Sequence, residues 1–243
     1  MEEGYMKLLH LYYDIMNLYG DYANIKAVER ILEKSGIDCT TDRMSFADKA
    51  VLADYDFVFV GSGTERNRNV VCEDMRKYSD DLRSYIDSGK VLLMTGNSFE
   101  MLGKSITDPK GSTAEGLGIF DFTVSEQNRT RNTADAIFSA EFSDRELVGF
   151  INKCSEIQGI EEPLFTVKMG LGNSGDSKSE GIRHKNFFGT HLTGPVLIKN
   201  PHFLVYMAGL IAGEGAVISD SHLGYEKAGY EVTLRELSKL ATG

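Results

Sequence analysis

The sequence is short of cysteine, and this shortage narrows the kinds of site that it can hold. Its 243 residues include three cysteines, Cys39, Cys72 and Cys154, which lie far apart. They form no CxxC pair and no Cys/His cluster at the spacing of a zinc site. An odd, scattered set of thiols is typical of a reducing compartment. We therefore expect a cytoplasmic protein without a metal or another cofactor, in which Cys72 and Cys154 are ordinary cysteines.

Positive charge and long apolar segments are also scarce. The chain has 26 Lys and Arg against 36 Asp and Glu, a formal charge of -10, which opposes attraction to nucleic acid or to an anionic membrane. Its least polar stretch, residues 202–213, is shorter than the roughly 20 apolar residues of a membrane-spanning helix. Residues 1–7 contain no apolar run typical of a signal peptide. We expect no nucleic-acid partner, no membrane insertion and no export.

Apolar runs and helical repeats alternate through the first half of the chain. Residues 7–12, 56–61 and 91–94 are short, largely apolar runs, as in strands that are buried on both faces. Between them, apolar residues recur at helical spacing over residues 24–36 and 73–88. This order predicts an α/β fold, a doubly wound, mostly parallel sheet with helices on both faces.

The second half of the chain has a different pattern. After about residue 116, short aromatic and β-branched runs predict extra strands, some of them antiparallel. Residues 170–181 are rich in Gly, Ser and Asn and predict an exposed loop. Residues 225–240 carry apolar residues at the spacing of one amphipathic helix, in spite of Gly229. Because no linker and no internal repeat divides the chain, we expect one domain over residues 1–243.

Three segments follow predicted strands at the sheet edge where open α/β folds bind ligands. Residues 12–21 are small, acidic and aromatic, and residues 61–67 carry two glycines that let N–H groups converge on an oxyanion; each segment also fits a plain turn. Residues 95–98, Thr-Gly-Asn-Ser, form the sharp strand-to-helix turn that presents a nucleophile, but without a cysteine. His10, within the first strand, is interpreted as a core or edge histidine with its hydrogen bonds satisfied.

Several of these segments resemble one protein family. Residues 11–25, LYYDIMNLYGDYANI, resemble the N-terminus of the GatD-like glutaminase subunits of lipid II isoglutaminyl synthase, in the CobB/CobQ-like family of class I glutamine amidotransferases. Further matching segments follow in the family's order, at residues 61–67, 149–152, 170–173, 180–181, 189–195 and 199–201. The resemblance implies the flavodoxin-like fold of class I glutamine amidotransferases, and it implies that the glycine-rich loop helps to form an oxyanion hole.

The reacting positions depart from the family. Its nucleophile turn, Cys-Gly-Gly-Tyr-Gln-Leu-Leu-Gly, aligns with residues 96–103 and places Gly96 at the cysteine and Glu100 at the glutamine. Its Gly-Thr-Tyr-Leu-His-Gly-Pro segment places Thr193 at the catalytic histidine and His191 at the tyrosine. A cysteine amidotransferase needs a thiolate and an imidazole that activates it. The sequence therefore predicts a catalytically degenerate member of the family.

The resemblance also implies a ligand pocket and a partner. Glutamine or a related small molecule is the implied ligand, and a Mur-ligase-like ATP-dependent subunit that amidates peptidoglycan precursors is the implied partner. The candidate binding residues are Gly61, Ser62, Gly63, Glu65, Arg66, Asn67, Asn97 and Glu100.

Three hypotheses about function follow. In the first, the chain is a scaffold or partner subunit of a cell-wall precursor amidating system and hydrolyses nothing. In the second, it is an active glutaminase or another amide hydrolase that uses a shifted pair, with Ser98 as nucleophile and His191 as base. In the third, the residual pocket binds a small molecule as a sensor.

Overall fold

The computed structural model describes residues 5–127 and 131–241, and these contain fifteen β-strands and six α-helices. Every helix in these two ranges is too short or too polar to cross a bilayer. In chain order, the strands are β1 (Met6–Leu11), β2 (Cys39–Met44), β3 (Phe57–Val60), β4 (Val91–Thr95), β5 (Ser105–Thr107), β6 (Thr113–Glu115), β7 (Thr123–Glu126), β8 (Asn132–Ala140), β9 (Ser143–Lys153), β10 (Ser155–Gln158), β11 (Phe165–Met169), β12 (Ser179–Glu180), β13 (Ile182–His184), β14 (Phe187–Thr190) and β15 (Leu192–Thr193). The helices are α1 (Tyr22–Lys34), α2 (Glu65–Met75), α3 (Ser79–Asp87), α4 (Val196–Lys199), α5 (Pro201–Ala212) and α6 (Gly224–Ala241).

The central sheet has six strands in the order β13-β14-β4-β3-β1-β2. Neighbouring strands from β14 to β2 run parallel, and β13 pairs antiparallel with β14 at one edge. Every residue of β3 and β4 is buried, because α1 and α5 cover one face of the sheet and α2 and α3 cover the other. The predicted doubly wound, mostly parallel sheet is confirmed.

Helix α1 shows how the sequence determines a helix and its covered face. Ile25, Val28, Ile31 and Leu32 recur three to four residues apart and are all buried against the sheet and α5. Burial of each such side chain stabilises the fold by about 1.5–3 kcal/mol. Gly36 follows the helix with a φ of +78°, a conformation that ends a helix and suits glycine.

Two smaller sheets come from residues 105–193, so that the extra strands begin slightly earlier than the predicted start at about residue 116. One has the order β10-β7-β5-β6 and the other the order β12-β11-β8-β9-β15. Their strand pairs are antiparallel except for the parallel pair β5 and β7. Helix α6 lies on β8 and β9 through the buried side chains of Tyr230 and Leu237. The predicted extra strands are therefore confirmed.

The predicted helix boundaries between β3 and β4 are wrong. The predicted helix over residues 73–88 is two helices, α2 and α3, joined by a 3-10 turn at Arg76–Tyr78. Helix α2 already begins at Glu65, because the Thr64 hydroxyl oxygen accepts a hydrogen bond from the Asn67 N–H over 3.1 Å. The last three residues of the predicted glycine-rich loop are therefore helical.

Residues 170–181, predicted as an exposed loop, are partly buried. Asn173 is 4 % exposed and Glu180 is fully buried. The Asn173 side chain donates to the Gly181 carbonyl over 3.0 Å and accepts from the Gly181 N–H over 2.8 Å. Composition misleads here because polar residues can be buried wherever their hydrogen bonds are satisfied.

Candidate functional site

The turn after β4 keeps the shape of a nucleophile elbow. Gly96 turns the chain with a φ of +61° into a 3-10 helix over Gly96–Leu102. Glycine adopts this left-handed conformation without strain. A Cβ added at Gly96 would lie 2.3 Å from the Cβ of Ser62, which is closer than two such atoms approach. The turn therefore has no side chain, and it has no room for one unless Ser62 moves.

Two N–H groups of the glycine-rich loop opposite this turn already donate hydrogen bonds to side chains of the protein. The Ser62 N–H donates to Asp21 Oδ2 over 2.7 Å, and the Gly63 N–H donates to Asn97 Oδ1 over 3.0 Å. An oxyanion hole depends on such N–H groups pointing at the place where negative charge develops. Here side-chain oxygens of the chain itself accept both hydrogen bonds. The amide oxygen of Asn97 thus stands in for an oxyanion at Gly63.

Asp21 ties three segments of the site together. Its Oδ2 also accepts from the Ser62 hydroxyl over 2.6 Å and from the Thr95 hydroxyl over 2.9 Å. The segment after β1, the glycine-rich loop and the end of β4 therefore meet at one carboxylate. Asp21 is fully buried, and burial raises its pKa although these hydrogen bonds oppose the shift. This part of residues 12–21 holds the elbow in position.

A buried network of charged side chains lies behind the turn. Glu100 is 1 % exposed and accepts hydrogen bonds from Arg68 and Ser155, and its Oε1 lies 2.9 Å from His191 Nε2. The His191 main-chain N–H donates to Glu180 Oε1 over 2.8 Å. His191 Nδ1 lies 3.3 Å from the same oxygen, but the angle is not that of a hydrogen bond. Both ring nitrogens of His191 thus face a carboxylate.

The surroundings hold Glu100 in its charged form. Burial by itself would raise its pKa, but Arg68 and the hydrogen bonds from His191 and Ser155 outweigh burial and lower the pKa to about 2. Arg68 also bonds Glu126. Breaking a buried ion pair by removing one partner costs about 3–5 kcal/mol, since the other charge is left unpaired. The network therefore has a structural role.

Glu100 and His191, which the resemblance aligns with the family's glutamine and tyrosine, contact each other over 2.9 Å. The ring of Phe99 packs edge-on against the His191 imidazole, with 4.7 Å between ring centroids. A buried acid and a buried imidazole thus form a pair behind the turn.

Ser98 and Thr193 direct their hydroxyl groups to main-chain carbonyls. Ser98 Oγ is within hydrogen-bond distance of two of them, the nearer being that of Thr95 at 2.8 Å. Thr193 Oγ1 donates to the Phe150 carbonyl over 3.0 Å. Within the described part of the chain, no hydrogen bond joins Ser98 to His191.

A small cavity is left between the elbow, the glycine-rich loop and the end of β9. Its free volume is about 10 Å³, the least that one water molecule needs. The candidate residues that line it are Ser62, Gly63, Glu65, Gly96, Asn97, Glu100, His191 and Thr193.

Four candidate residues lie outside this cavity. Gly61 abuts the main chain after β1, since a Cβ added there would lie 2.3 Å from the Met16 carbonyl oxygen. The Asn67 side chain donates to a main-chain carbonyl over 3.1 Å. Arg66 is exposed, and Ser98 faces the carbonyls described above.

Hydrogen bonds close the outer side of the cavity. Arg131 donates to the side chains of Asn152 and Glu65, each over 2.7 Å, and Asn152 donates to the Tyr19 hydroxyl over 2.9 Å. The Cys154 sulfur lies 3.3 Å from Glu65 Oε1. Burial and the Glu65 carboxylate raise the pKa of this thiol to about 12, so that it carries its proton at neutral pH and is not a nucleophilic thiolate.

Comparison with known proteins decides the family. Residues 7–201 match the sequence profile of the CobB/CobQ-like glutamine amidotransferase domain. The chain belongs to this family. Subunit GatD of the glutamine-hydrolysing lipid II isoglutaminyl synthase from Streptococcus pneumoniae is 30% identical over 197 residues, which cover 80% of this chain and 76% of that subunit. The same subunit from Staphylococcus aureus is 30% identical over 202 residues, which cover 83% and 82%.

Solved structures share the fold of this CobB/CobQ-like chain. A crystal structure of a glutamine amidotransferase superimposes with a TM-score of 0.54 at 16% identity and covers 83% of this chain and 98% of its own. The glutaminase domain of Trypanosoma brucei CTPS with bound acivicin superimposes with a TM-score of 0.53 at 11% identity, over 90% of this chain and 98% of its own. The class I glutamine amidotransferase fold is confirmed.

Several residues that line the cavity of this CobB/CobQ-like domain are not among the candidates predicted from the sequence. Two signals were available, since Arg68 directly follows the glycine-rich segment and Asn152 ends the matching segment 149–152. Lys153 gave no signal, although it is buried, burial lowers its pKa, and its ammonium donates to main-chain carbonyls. The lining residues outside the candidate set are Tyr19, Arg68, Arg131, Asn152, Lys153, Cys154 and Ser155.

Proposed function

We propose that this CobB/CobQ-like chain is a non-hydrolysing scaffold or partner subunit of a system that amidates cell-wall precursors. One observation carries the proposal: at the elbow, the nucleophile position has no side chain, and a side chain of the protein itself fills the oxyanion position. Gly96 offers no nucleophile, and Asn97 fills the oxyanion position at Gly63 over 3.0 Å.

The side chains near the elbow do not replace the missing nucleophile. Covalent catalysis needs a nucleophile with a base within hydrogen-bond reach. The Ser98 hydroxyl faces main-chain carbonyls instead, and the imidazole of His191 faces the carboxylates of Glu100 and Glu180. The Cys154 thiol contacts Glu65, which disfavours its thiolate.

The size of the cavity also argues against glutamine as a ligand at the elbow. Small-molecule sites are roughly 300–1,000 Å³ in volume, whereas this cavity has about 10 Å³ free. Opening it for glutamine would break the hydrogen bonds of Arg131 with Glu65 and Asn152. The sensor hypothesis is therefore not favoured at this place.

The role in cell-wall precursor amidation rests on the relatives. The two GatD proteins, each 30% identical to this chain, are subunits of lipid II isoglutaminyl synthase. By this likeness we infer that the chain assembles with a Mur-ligase-like ATP-dependent subunit, which would supply the amidating chemistry. Without hydrolysis in this chain, the nitrogen would come from free ammonium.

Copurification with such a partner tests the proposal. We expect the chain to co-elute with a Mur-ligase-like ATP-dependent protein of the same organism, and we expect the complex to amidate a peptidoglycan precursor with ammonium chloride but not with glutamine. A complex that uses glutamine would overturn the non-hydrolysing role. The absence of any complex would overturn the partner role.

A further inference from the structure

A second cavity lies at the carboxyl ends of β1 and β2, next to the start of α1. This is the sheet edge at which open α/β folds bind ligands. Its volume is about 290 Å³, close to the lower end of the roughly 300–1,000 Å³ of small-molecule sites. The residues that line it include His10, Tyr13, Asn17, Tyr22, Lys26 and Arg43.

His10 gives this cavity a buried polar group that lacks a partner. It is 2 % exposed, and its Nε2 has no hydrogen-bond partner in the described part of the chain. Its ring packs against Phe59, with 5.1 Å between ring centroids. The interpretation of His10 as a histidine with satisfied hydrogen bonds is therefore wrong at Nε2. Buried polar atoms are nearly always hydrogen-bonded, so His10 is an exception among the described residues.

The cavity offers more open donors than open acceptors. Asn17 Oδ1 already accepts the Tyr22 main-chain N–H over 2.8 Å. Among the described residues, no side chain hydrogen-bonds the hydroxyls of Tyr13 and Tyr22 or pairs with the guanidinium of Arg43. Phenol and guanidinium N–H and O–H groups donate to anionic oxygens. Tyr13, Tyr22 and Arg43 are exposed, so a ligand rich in acceptors would replace water at these donors.

Arg43 is the cation of this cavity that is free to pair. It stands opposite His10 in the register of β1 and β2. Lys26 is engaged with Glu29, and Asp14 accepts a hydrogen bond from a serine hydroxyl over 2.7 Å. An anionic group in the cavity would therefore meet the Arg43 guanidinium without displacing an existing ion pair.

We propose that this cavity binds a small molecule through a carboxylate or phosphate group. Arg43 and the hydroxyls of Tyr13 and Tyr22 bond the anionic oxygens, and the His10 ring lines the cavity beside them. The Ile25 side chain and the tyrosine rings form an apolar wall for the rest of the molecule. This site is separate from the elbow and does not depend on the function proposed above.

Thermal unfolding with two probes tests the site. Inorganic phosphate and glutarate are titrated separately, each against sodium chloride of equal ionic strength. We expect one probe to raise the Tm in a saturable way, and the probe that does so distinguishes a phosphate from a carboxylate ligand. Arg43→Gln should raise the Kd about tenfold, because it removes a charge-assisted hydrogen bond. Arg235→Gln, an exposed arginine on α6 outside the cavity, should keep the wild-type Kd.

A second measurement reports on His10 itself. The imidazole C–H signals of His10 in the NMR spectrum should shift with the same saturation curve as the Tm, and Tyr13→Phe, which removes only a hydroxyl, should weaken that binding. The proposal is overturned if neither probe gives a saturable change at concentrations well above about 1 mM. It is also overturned if Arg43→Gln binds the probe as tightly as wild type.

Discussion

At the scale of single residues, the buried network depends on the Glu100 carboxylate. Arg68, Ser155 and His191 all contact it. We predict that Glu100→Gln lowers the free energy of unfolding by about 3–5 kcal/mol at neutral pH, because the Arg68 guanidinium loses a buried counter-charge. Urea denaturation measures this change. The exposed Glu141 gives a matched control, Glu141→Gln, which should stay within about 0.5 kcal/mol. Equal stabilities of the two variants would refute the prediction.

The same carboxylate sets a pH dependence. The pKa of Glu100 is lowered in the folded chain from 4.5 to about 2. Its contribution to stability is therefore complete above about pH 4.5 and is lost as the pH falls from there toward about 2. We predict that wild type loses more stability than Glu100→Gln between about pH 5 and about pH 3, as measured by urea unfolding at both pH values. Parallel losses in the two proteins would show that Glu100 is not the group responsible.

At the scale of elements, the elbow and the glycine-rich loop touch too closely for a side chain between them. A Cβ at Gly96 would lie 2.3 Å from Ser62 Cβ, and Gly96 has a φ of +61°. We predict that Gly96→Ala destabilises the fold by about 1–3 kcal/mol, and that adding Ser62→Gly recovers part of this loss. A double-mutant cycle in urea measures the coupling. Strictly additive effects would mean that the two segments do not meet as described.

This contact also bears on any attempt to rebuild the family's reaction. A paired Gly96→Cys and Thr193→His change places a cysteine and a histidine at the family's positions in the sequence, but it does not provide the space that the cysteine needs. Ser62 Cβ occupies the space that the new cysteine Cβ needs, and Asn97 still occupies the Gly63 N–H. We predict that the paired variant stays inactive in a glutaminase assay. Activity in that variant without a change at Ser62 would contradict the described packing.

The elements that could be predicted from the sequence are those with local signals. Strands β3 and β4 are continuous apolar runs, and α1 has its repeat and its terminal Gly36. The break at Arg76–Tyr78 contains neither Pro nor Gly, so no local signal marks it. Asn173 and Glu180 accept hydrogen bonds from Lys153 and Thr190, outside the segment 170–181, and composition does not reveal these partners.

The site also has one part with local sequence signals and one part that depends on residues far apart in the chain. The elbow and the glycine-rich loop are contiguous motifs, and their order along the chain was enough to predict them. The partners of Glu100 come from 32, 55 and 91 residues away, at Arg68, Ser155 and His191. Only the folded arrangement reveals that Glu100 and His191 are in contact as an acid and an imidazole.

At the scale of the whole molecule, the chain keeps the architecture of its family, while its own side chains accept the Ser62 and Gly63 N–H groups beside the elbow. The profile match over residues 7–201 and the TM-scores of 0.54 and 0.53 concern the fold. The reaction depends on a few side chains, and a fold alone does not establish a reaction. Membership of the family therefore does not by itself assign the family's chemistry to this chain.

Glutamine hydrolysis by the purified chain, alone and with the partner proposed above, tests most directly whether the family's chemistry is absent. Ammonia and glutamate are measured over time for wild type and for the variants Ser98→Ala, His191→Ala and Cys154→Ala. We predict that wild type forms both products no faster than buffer does, and that none of the three variants differs from it. Turnover by wild type that disappears in Ser98→Ala, His191→Ala or Cys154→Ala would contradict the account.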